Sequence, residues 1–314
     1  MLTVASALAP VLALIALGYA LRRAGFPGEG FWRPAARAVY FVFLPALLVR
    51  IIAEAPLAAG VWRLQAIAVL TVSVLTVLLA LARKPVCGDD GPAFTSVVQG
   101  GVRHNTYLGL AVAAPLFTEA QVAAFALIAA AVVPVVNAVA VVALARFGRR
   151  GADYDQEAAQ PRGLRQTLRL VALNPLILAC AAGFLLNATG VGLPGFAAAS
   201  VDLLSRPALP LGLLTVGAGL RAGALARPGV PALAASACRL VAYPLFAYVL
   251  AEAWGIDGPQ LAPLMLFAAL PTAASSYALA LELGGDAELM ARVITLETLA
   301  AALTIPAVLA LVGA

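Results

Sequence analysis

Charge is what this sequence has least of. Asp, Glu, Lys and Arg together make up 11% of its 314 residues, while AVILMFWYC residues make up 63% and mean hydropathy is +0.99. A soluble domain is about a quarter charged and needs polar side chains to cover its surface, so a soluble enzyme is excluded. Disorder is excluded too, because disordered chains are poor in apolar residues. Histidine occurs once, at His104, which rules out a His-based metal cluster. Cys87, Cys180 and Cys238 are far apart and outside CxxC spacing, so neither a disulfide framework nor a zinc site follows. HExxH, GxSxG and GxxxxGK[ST] are missing, leaving no support for a metalloprotease, a serine hydrolase or an ATP-driven pump. Gly284-Gly285-Asp286 is close to the GxGD of intramembrane aspartyl proteases, but position 283 is Leu and no second Asp is placed to join it. The fifth apolar run lacks an Asp-Asp pair, against a sodium/proton antiporter. Basic residues are not interleaved with aromatics, so nucleic acid is not an expected partner, and no cofactor or resident metal is expected.

What the chain has is lipid-length apolar sequence. A transmembrane helix needs about 20 mostly apolar residues. Ten such runs occur, at approximately 2–21, 34–53, 62–82, 93–117, 120–146, 168–188, 198–220, 230–252, 260–283 and 287–312. The expected fold class is therefore all-α integral membrane with ten transmembrane helices. The one long polar stretch, Arg146–Arg169, joins two halves. This predicts a five-helix repeat over 1–147, a cytoplasmic loop over 148–167 and a second five-helix repeat over 168–314. No basic residue precedes the first run, and Arg22 and Arg23 follow it, so it reads as a retained helix and not a cleaved signal. Fifteen of the 20 basic residues fall in the loops after runs one, three, five, seven and nine. The positive-inside rule puts those loops in the cytoplasm and both termini outside.

An odd number of spans per half inverts the second copy. Thr106-Tyr107-Leu108-Gly109 is echoed by Ser276-Tyr277-Ala278-Leu279, and Leu44-Pro45-Ala46-Leu47 by Leu209-Pro210-Leu211-Gly212, displaced by 170 (277 − 107) and 165 (210 − 45) residues. Inverted repeats are typical of transporters, with substrate bound near the midplane where discontinuous helices meet. Runs four and nine are the interrupted ones. Gly100-Gly101-Val102-Arg103-His104-Asn105-Thr106 and Leu270-Pro271-Thr272-Ala273-Ala274-Ser275-Ser276 each set a helix-weakening element beside small polar side chains.

Candidate substrate-binding residues follow from these two breaks. Half-helix N-termini present free N–H groups and positive partial charge, which suits carboxylates. Asn105, Thr106, Thr272, Ser275 and Ser276 would add donors; Tyr107, Pro271 and Tyr277 share the same stretches. The bland alternative is that hydroxyls satisfy neighbouring carbonyls in a packed bundle. Arg103 is costly at membrane depth and would face an anionic substrate, form an interhelical ion pair or snorkel to an interface. His104 and Glu297 are candidates for a coupling proton. Glu297 could instead pair with Arg292, Arg239 or Arg103, the more expected outcome. Asn137 and Asn174 are expected to satisfy carbonyls freed by Pro134 and Pro175, and Glu282, Asp286 and Glu288 to be solvated at a membrane boundary.

Five stretches together resemble the auxin efflux carrier family in its bacterial form: Tyr40-Phe41-Val42-Phe43-Leu44-Pro45-Ala46-Leu47-Leu48, Arg103 to Leu110, Pro134-Val135-Val136-Asn137, Leu173-Asn174-Pro175-Leu176-Ile177, and Leu270 to Ala280 followed by Gly284-Gly285-Asp286. The resemblance implies two inverted five-helix repeats with broken, crossing helices four and nine, as in bile-acid/sodium symporters. It also implies a scaffold of spans 1, 2, 6 and 7 that forms a homodimer, and a transport part of spans 3–5 and 8–10 that moves as an elevator. Plant members export the auxin anion, and bacterial relatives include proposed carriers of malate and malonate. Asn105 matches the first crossover Asn of the family; Ser275 or Ser276 stands where many members have the second. The expected protein is thus a secondary or potential-driven carrier of small organic anions, mono- or dicarboxylates, in a bacterial inner membrane. The alternatives are a sodium-coupled symporter of the same fold and a membrane receptor that binds without transport.

Overall fold

The computed structural model describes residues 2–28, 30–54, 61–149, 165, 169, 172–190, 192–193, 195–220 and 228–313, without the side chains of residues 2–8, Val11, Tyr107 and Ala111. Most of the expected loop 148–167 lies outside the described residues, as do Arg150, Arg162, Arg221 and Arg227 of the charge count.

Among the described residues all regular structure is helical. In chain order the helices are α1 (Leu2–Arg23), α2 (Trp32–Ala53), α3 (Trp62–Leu81), α4 (Arg83–Cys87), α5 (Gly91–Val102), α6 (Thr106–Leu116), α7 (Glu119–Phe147), α8 (Pro175–Ala188), α9 (Gly195–Ser205), α10 (Ala208–Gly219), α11 (Gly229–Ala253), α12 (Leu261–Ala269), α13 (Ser275–Leu283) and α14 (Ala287–Leu311). Five of them, α2, α3, α7, α11 and α14, are long and apolar enough to cross a membrane. In lipid the backbone must satisfy its own hydrogen bonds, and a helix does so within one segment. The described residues are thus all-helical, in keeping with an integral membrane protein.

Local chemistry sets the helix ends. A capping box between Thr118 and Gln121 starts α7. Asp90 accepts from Ala93 N–H at 2.9 Å to start α5, and Asp286 accepts from Leu289 N–H at 2.9 Å to start α14. Asp286 is therefore a cap, and its neighbours are also engaged: Glu282 meets Arg37 at 3.4 Å and Glu288 meets Arg292 at 3.5 Å. This corrects the expectation of three simply solvated acids; helix ends and adjacent arginines compete with water for them. Gly284, at φ +79°, ends α13 in the left-handed conformation that glycine adopts without a Cβ penalty. Both α2 and α11 contain a π turn, Val39–Phe43 and Cys238–Ala242, just before Pro45 and Pro244. Proline cannot donate to the carbonyl four residues back, and a widened turn accommodates that gap.

Helix packing relies on small residues. A Cβ on Gly217 would fall 1.9 Å from the Ile15 carbonyl oxygen, and one on Gly18 2.1 Å from that of Leu214, so α1 and α10 meet backbone to backbone. α2 packs against α8 and α9, α5 against α7 and α11, and α14 against α1, α11 and α12. One apolar cluster joins α3, α5, α7, α11, α12 and α14; a second gathers around Tyr40, Leu47, Ile52, Leu144, Leu176 and Leu279.

Candidate functional site

Two helices are interrupted within the bundle. Arg103, His104 and Asn105 separate α5 from α6, and Leu270 to Ala274 separate α12 from α13. Interruption strands backbone amides and carbonyls that a continuous helix would pair. Here each break serves the other. Asn105 N–H donates to the Pro271 carbonyl at 2.9 Å, and the Thr272 hydroxyl donates to the Gln99 carbonyl at 3.2 Å. A third link runs from Arg103 Nη2 to Ser275 Oγ at 2.8 Å. Asn105 also caps α6, its Oδ1 accepting from Leu108 N–H at 3.2 Å. The N-terminus of α13 follows Ala274 and has no side-chain cap.

The C-terminal end of α12 is held by a cation. Arg239, fully buried on α11, donates from Nε to the Leu270 carbonyl at 2.6 Å and from Nη2 to the Phe267 carbonyl at 2.9 Å. Its guanidinium lies 4.1 Å from the centre of the Tyr243 ring. A positive group is favoured there, because helix C-termini carry negative partial charge.

Beside the breaks lies a cavity of about 70 Å³. Its polar lining is Arg103, His104, Asn105, Thr106, Asn137 and Ser275; Leu44, Leu47, Leu48, Ile51, Val133, Val136, Leu176 and Leu209 supply apolar wall. Arg103 is only 5% exposed, and no carboxylate lies within ion-pair distance among the described residues. Its Nη1 donates to Asn137 Oδ1 at 2.8 Å. Two neutral acceptors orient this guanidinium without cancelling its charge, so the cavity presents an unneutralised cation next to two helix N-termini. The His104 ring sits 4.3 Å from the Phe267 ring, and neither imidazole nitrogen has a hydrogen-bond partner among the described residues.

Of the residues singled out in the sequence, Arg103, His104, Asn105, Thr106 and Ser275 share the cavity. Pro271, Thr272, Ser276 and Tyr277 are not part of its lining. Pro271 offers its carbonyl to Asn105, and Ser276 is fully buried with an unpartnered hydroxyl. Tyr277 packs so closely on Gly219 that a Cβ there would fall 2.4 Å from its hydroxyl oxygen. The Tyr107 side chain lies outside the described residues. Thr272 donates its N–H to Glu297 Oε2 at 2.8 Å.

Glu297 forms none of the ion pairs expected for it. Arg292 is taken by Glu288 and the Pro228 carbonyl, Arg239 by helix-end carbonyls, and Arg103 by Asn137 and Ser275. Each guanidinium has closer acceptors than this carboxylate. The two Asn expectations are also corrected. Asn137 serves Arg103 and donates to Cys180 Sγ at 3.8 Å. Asn174 caps α8 through Leu176 N–H at 2.9 Å and donates to the Tyr40 hydroxyl at 2.6 Å. A buried guanidinium and the unpaired N–H of a buried helix end are stronger claimants than the carbonyls freed by proline. Sequence reasoning passed over Gln99, fully buried with both amide atoms unpartnered, and the aliphatic wall from α2 and α8. A lone Gln inside an apolar run was the available signal for the first. Among the described residues no group of three or more His, Cys, Asp and Glu is placed to hold a metal ion.

The family model for membrane transport protein, the transport domain of the auxin efflux carriers, matches residues 3–309. No curated protein matches the chain.

Proposed function

The chain belongs to the membrane transport protein family of the auxin efflux carriers, and on that premise we propose that it carries small organic anions, with carboxylates as the substrate class. It is a multi-pass membrane transporter; the anion and its path are the proposal. The carrying observation is Arg103, a buried guanidinium with no acidic partner among the described residues, oriented by Asn137 and Ser275 at the meeting of two helix breaks. A buried charge without a counterion is costly, and a bound carboxylate supplies one. The N-termini of α6 and α13 add positive partial charge at the same place. One cation and a mainly aliphatic wall favour a small monocarboxylate with an apolar body over a dicarboxylate, whose second charge would meet leucines.

The proposed architecture is ten spans in two inverted five-helix repeats, with both termini outside a bacterial inner membrane. The proposed cycle is an elevator. α1, α2, α8, α9 and α10 form the scaffold and the contact of a homodimer, while the rest moves with the crossover. Helix pairing supports most of this division: α1 lies chiefly on α10 and α2 on α8 and α9, whereas α5 packs on α7 and α11; α14 meets α11 and α12 and also, across the division, α1. Proteoliposomes holding the purified chain should exchange labelled phenylacetate faster than protein-free vesicles, and labelled succinate more slowly than phenylacetate. Exchange of every carboxylate at the protein-free rate would sink the proposal.

A further inference from the structure

Glu297 is a buried ionisable group that the proposed anion cycle leaves unused. It sits in the middle of α14, fully buried. One carboxylate oxygen accepts the Thr272 N–H at 2.8 Å; the other, Oε1, has no hydrogen-bond partner among the described residues. A carboxylate removed from water needs a counterion or a proton. From α5 come Gln99 and Gly100, uncharged, with Oε1 3.7 Å from where a Gly100 Cβ would stand. From α11 come Ser236, Cys238 and Arg239; Ser236 and Arg239 are within reach of the charge, yet the Ser236 hydroxyl and Arg239 Nη1 both end unpartnered. α12 and α10 carry no titratable side chain, and α13 brings Tyr277 and Glu282, the latter paired with Arg37. α1 brings Tyr19, Arg22 and Arg23, with Arg22 bonded to the Ala218 carbonyl and Arg23 to the Tyr19 hydroxyl. On α14 itself, Arg292 is taken by Glu288.

We propose that Glu297 is a proton-binding site that couples proton and anion through Thr272. This rests on the anion reading of the cavity. The connection is short. Glu297 holds the backbone N–H of Thr272; Pro271, one residue before, accepts from Asn105, and Ala273, Ala274 and Ser275, just after, line the cavity. A proton is favoured over a metal cation, because a hard cation takes several oxygen ligands and no group of three or more His, Cys, Asp and Glu gathers here among the described residues. The sign follows. An ionised Glu297 repels an anion across the break and grips Thr272 N–H with a charge-assisted bond; a protonated one does neither as strongly. Proton and anion therefore bind with positive coupling, and by linkage each raises the affinity of the other. The carrier moves both together.

The test uses the full-length protein in lipid. The infrared difference spectrum between wild type and Glu297→Gln should contain one titrating carboxylic-acid C=O band, which Glu297→Asp retains at a shifted frequency. Above the pH at which that band titrates in the free protein, calorimetry with phenylacetate in buffers of different ionisation enthalpy should show one proton taken up per anion, with affinity falling about tenfold per pH unit. Glu297→Gln should bind phenylacetate with the wild type's acid-side affinity at every pH and take up no proton. Three results overturn the proposal: no titrating band, proton uptake that persists in Glu297→Gln, or sodium raising phenylacetate affinity at fixed pH in wild type but not in the variant. A band without any phenylacetate binding upholds the proton site and overturns the anion reading instead.

Discussion

Two buried arginines show how position alone assigns different work to one residue type. In the sequence Arg103 and Arg239 are both cations inside apolar runs, and Arg103 alone stands in an interrupted one. Arg239 binds the Leu270 and Phe267 carbonyls, so its charge is spent on a helix end. Arg103 binds an amide oxygen and a hydroxyl, both neutral side chains, beside a cavity. Arg239→Met strands two carbonyls and should cost about 2–5 kcal/mol, read as a clear fall in the thermal midpoint of the purified protein. Arg103→Gln keeps an amide that can meet Asn137 and Ser275, so the midpoint should hold. Its affinity for phenylacetate should drop about 10- to 100-fold, the worth of a charged hydrogen bond. An Arg103→Gln protein that binds phenylacetate as wild type does would remove this guanidinium from the site. The break beside Arg103 was legible in sequence, but the task of Arg239 was not, because it depends on which acceptors the fold brings within 3 Å.

At the scale of elements, the helix interruptions were the most legible feature. Gly100-Gly101 and Pro271 weaken a helix wherever they stand, so the breaks at 103–105 and 270–274 follow from local chemistry. The aliphatic half of the cavity was not legible: Leu44 and Leu47 on α2 look like any other apolar pair until α8 and α7 are packed beside them. Nor were the tasks of Asn137 and Asn174, because the proline carbonyls that seemed to need them are local and their true partners, Arg103 and Tyr40, are far away in sequence. Close helix approach gives a test at this scale. Gly217→Val places a side chain against the Ile15 backbone, which cannot yield, so α1 and α10 must separate. The variant should be recovered in low yield and aggregate on heating well below wild type. Gly195→Ala, at the start of α9 in open space, should leave the melting curve unchanged. Equal behaviour of the two variants would mean that the α1–α10 contact contributes nothing to the assembly.

At the scale of the whole molecule, the proposed elevator requires α7 to slide against α8. These helices touch at one point with useful chemistry: Asn137 Nδ2 on α7 lies 3.8 Å from Cys180 Sγ on α8. Asn137→Cys, in a background where Cys87 and Cys238 are alanine, sets two thiols face to face across the boundary between the proposed moving and fixed parts. Mercuric ion bridges thiols at such separations and is removed by mercaptoethanol. Asn137→Cys will itself weaken phenylacetate binding, since Arg103 loses an acceptor, so the comparison is within the variant, before and after bridging. Bridging should stop phenylacetate exchange in proteoliposomes, and mercaptoethanol should restore it to the unbridged rate. Cys180→Ala in the same background should make the exchange indifferent to mercury. Full exchange by protein shown by mass to be bridged would mean that α7 and α8 travel together. A carrier working in that way would move its anion past fixed helices, with the breaks at Asn105 and Pro271 acting as gates.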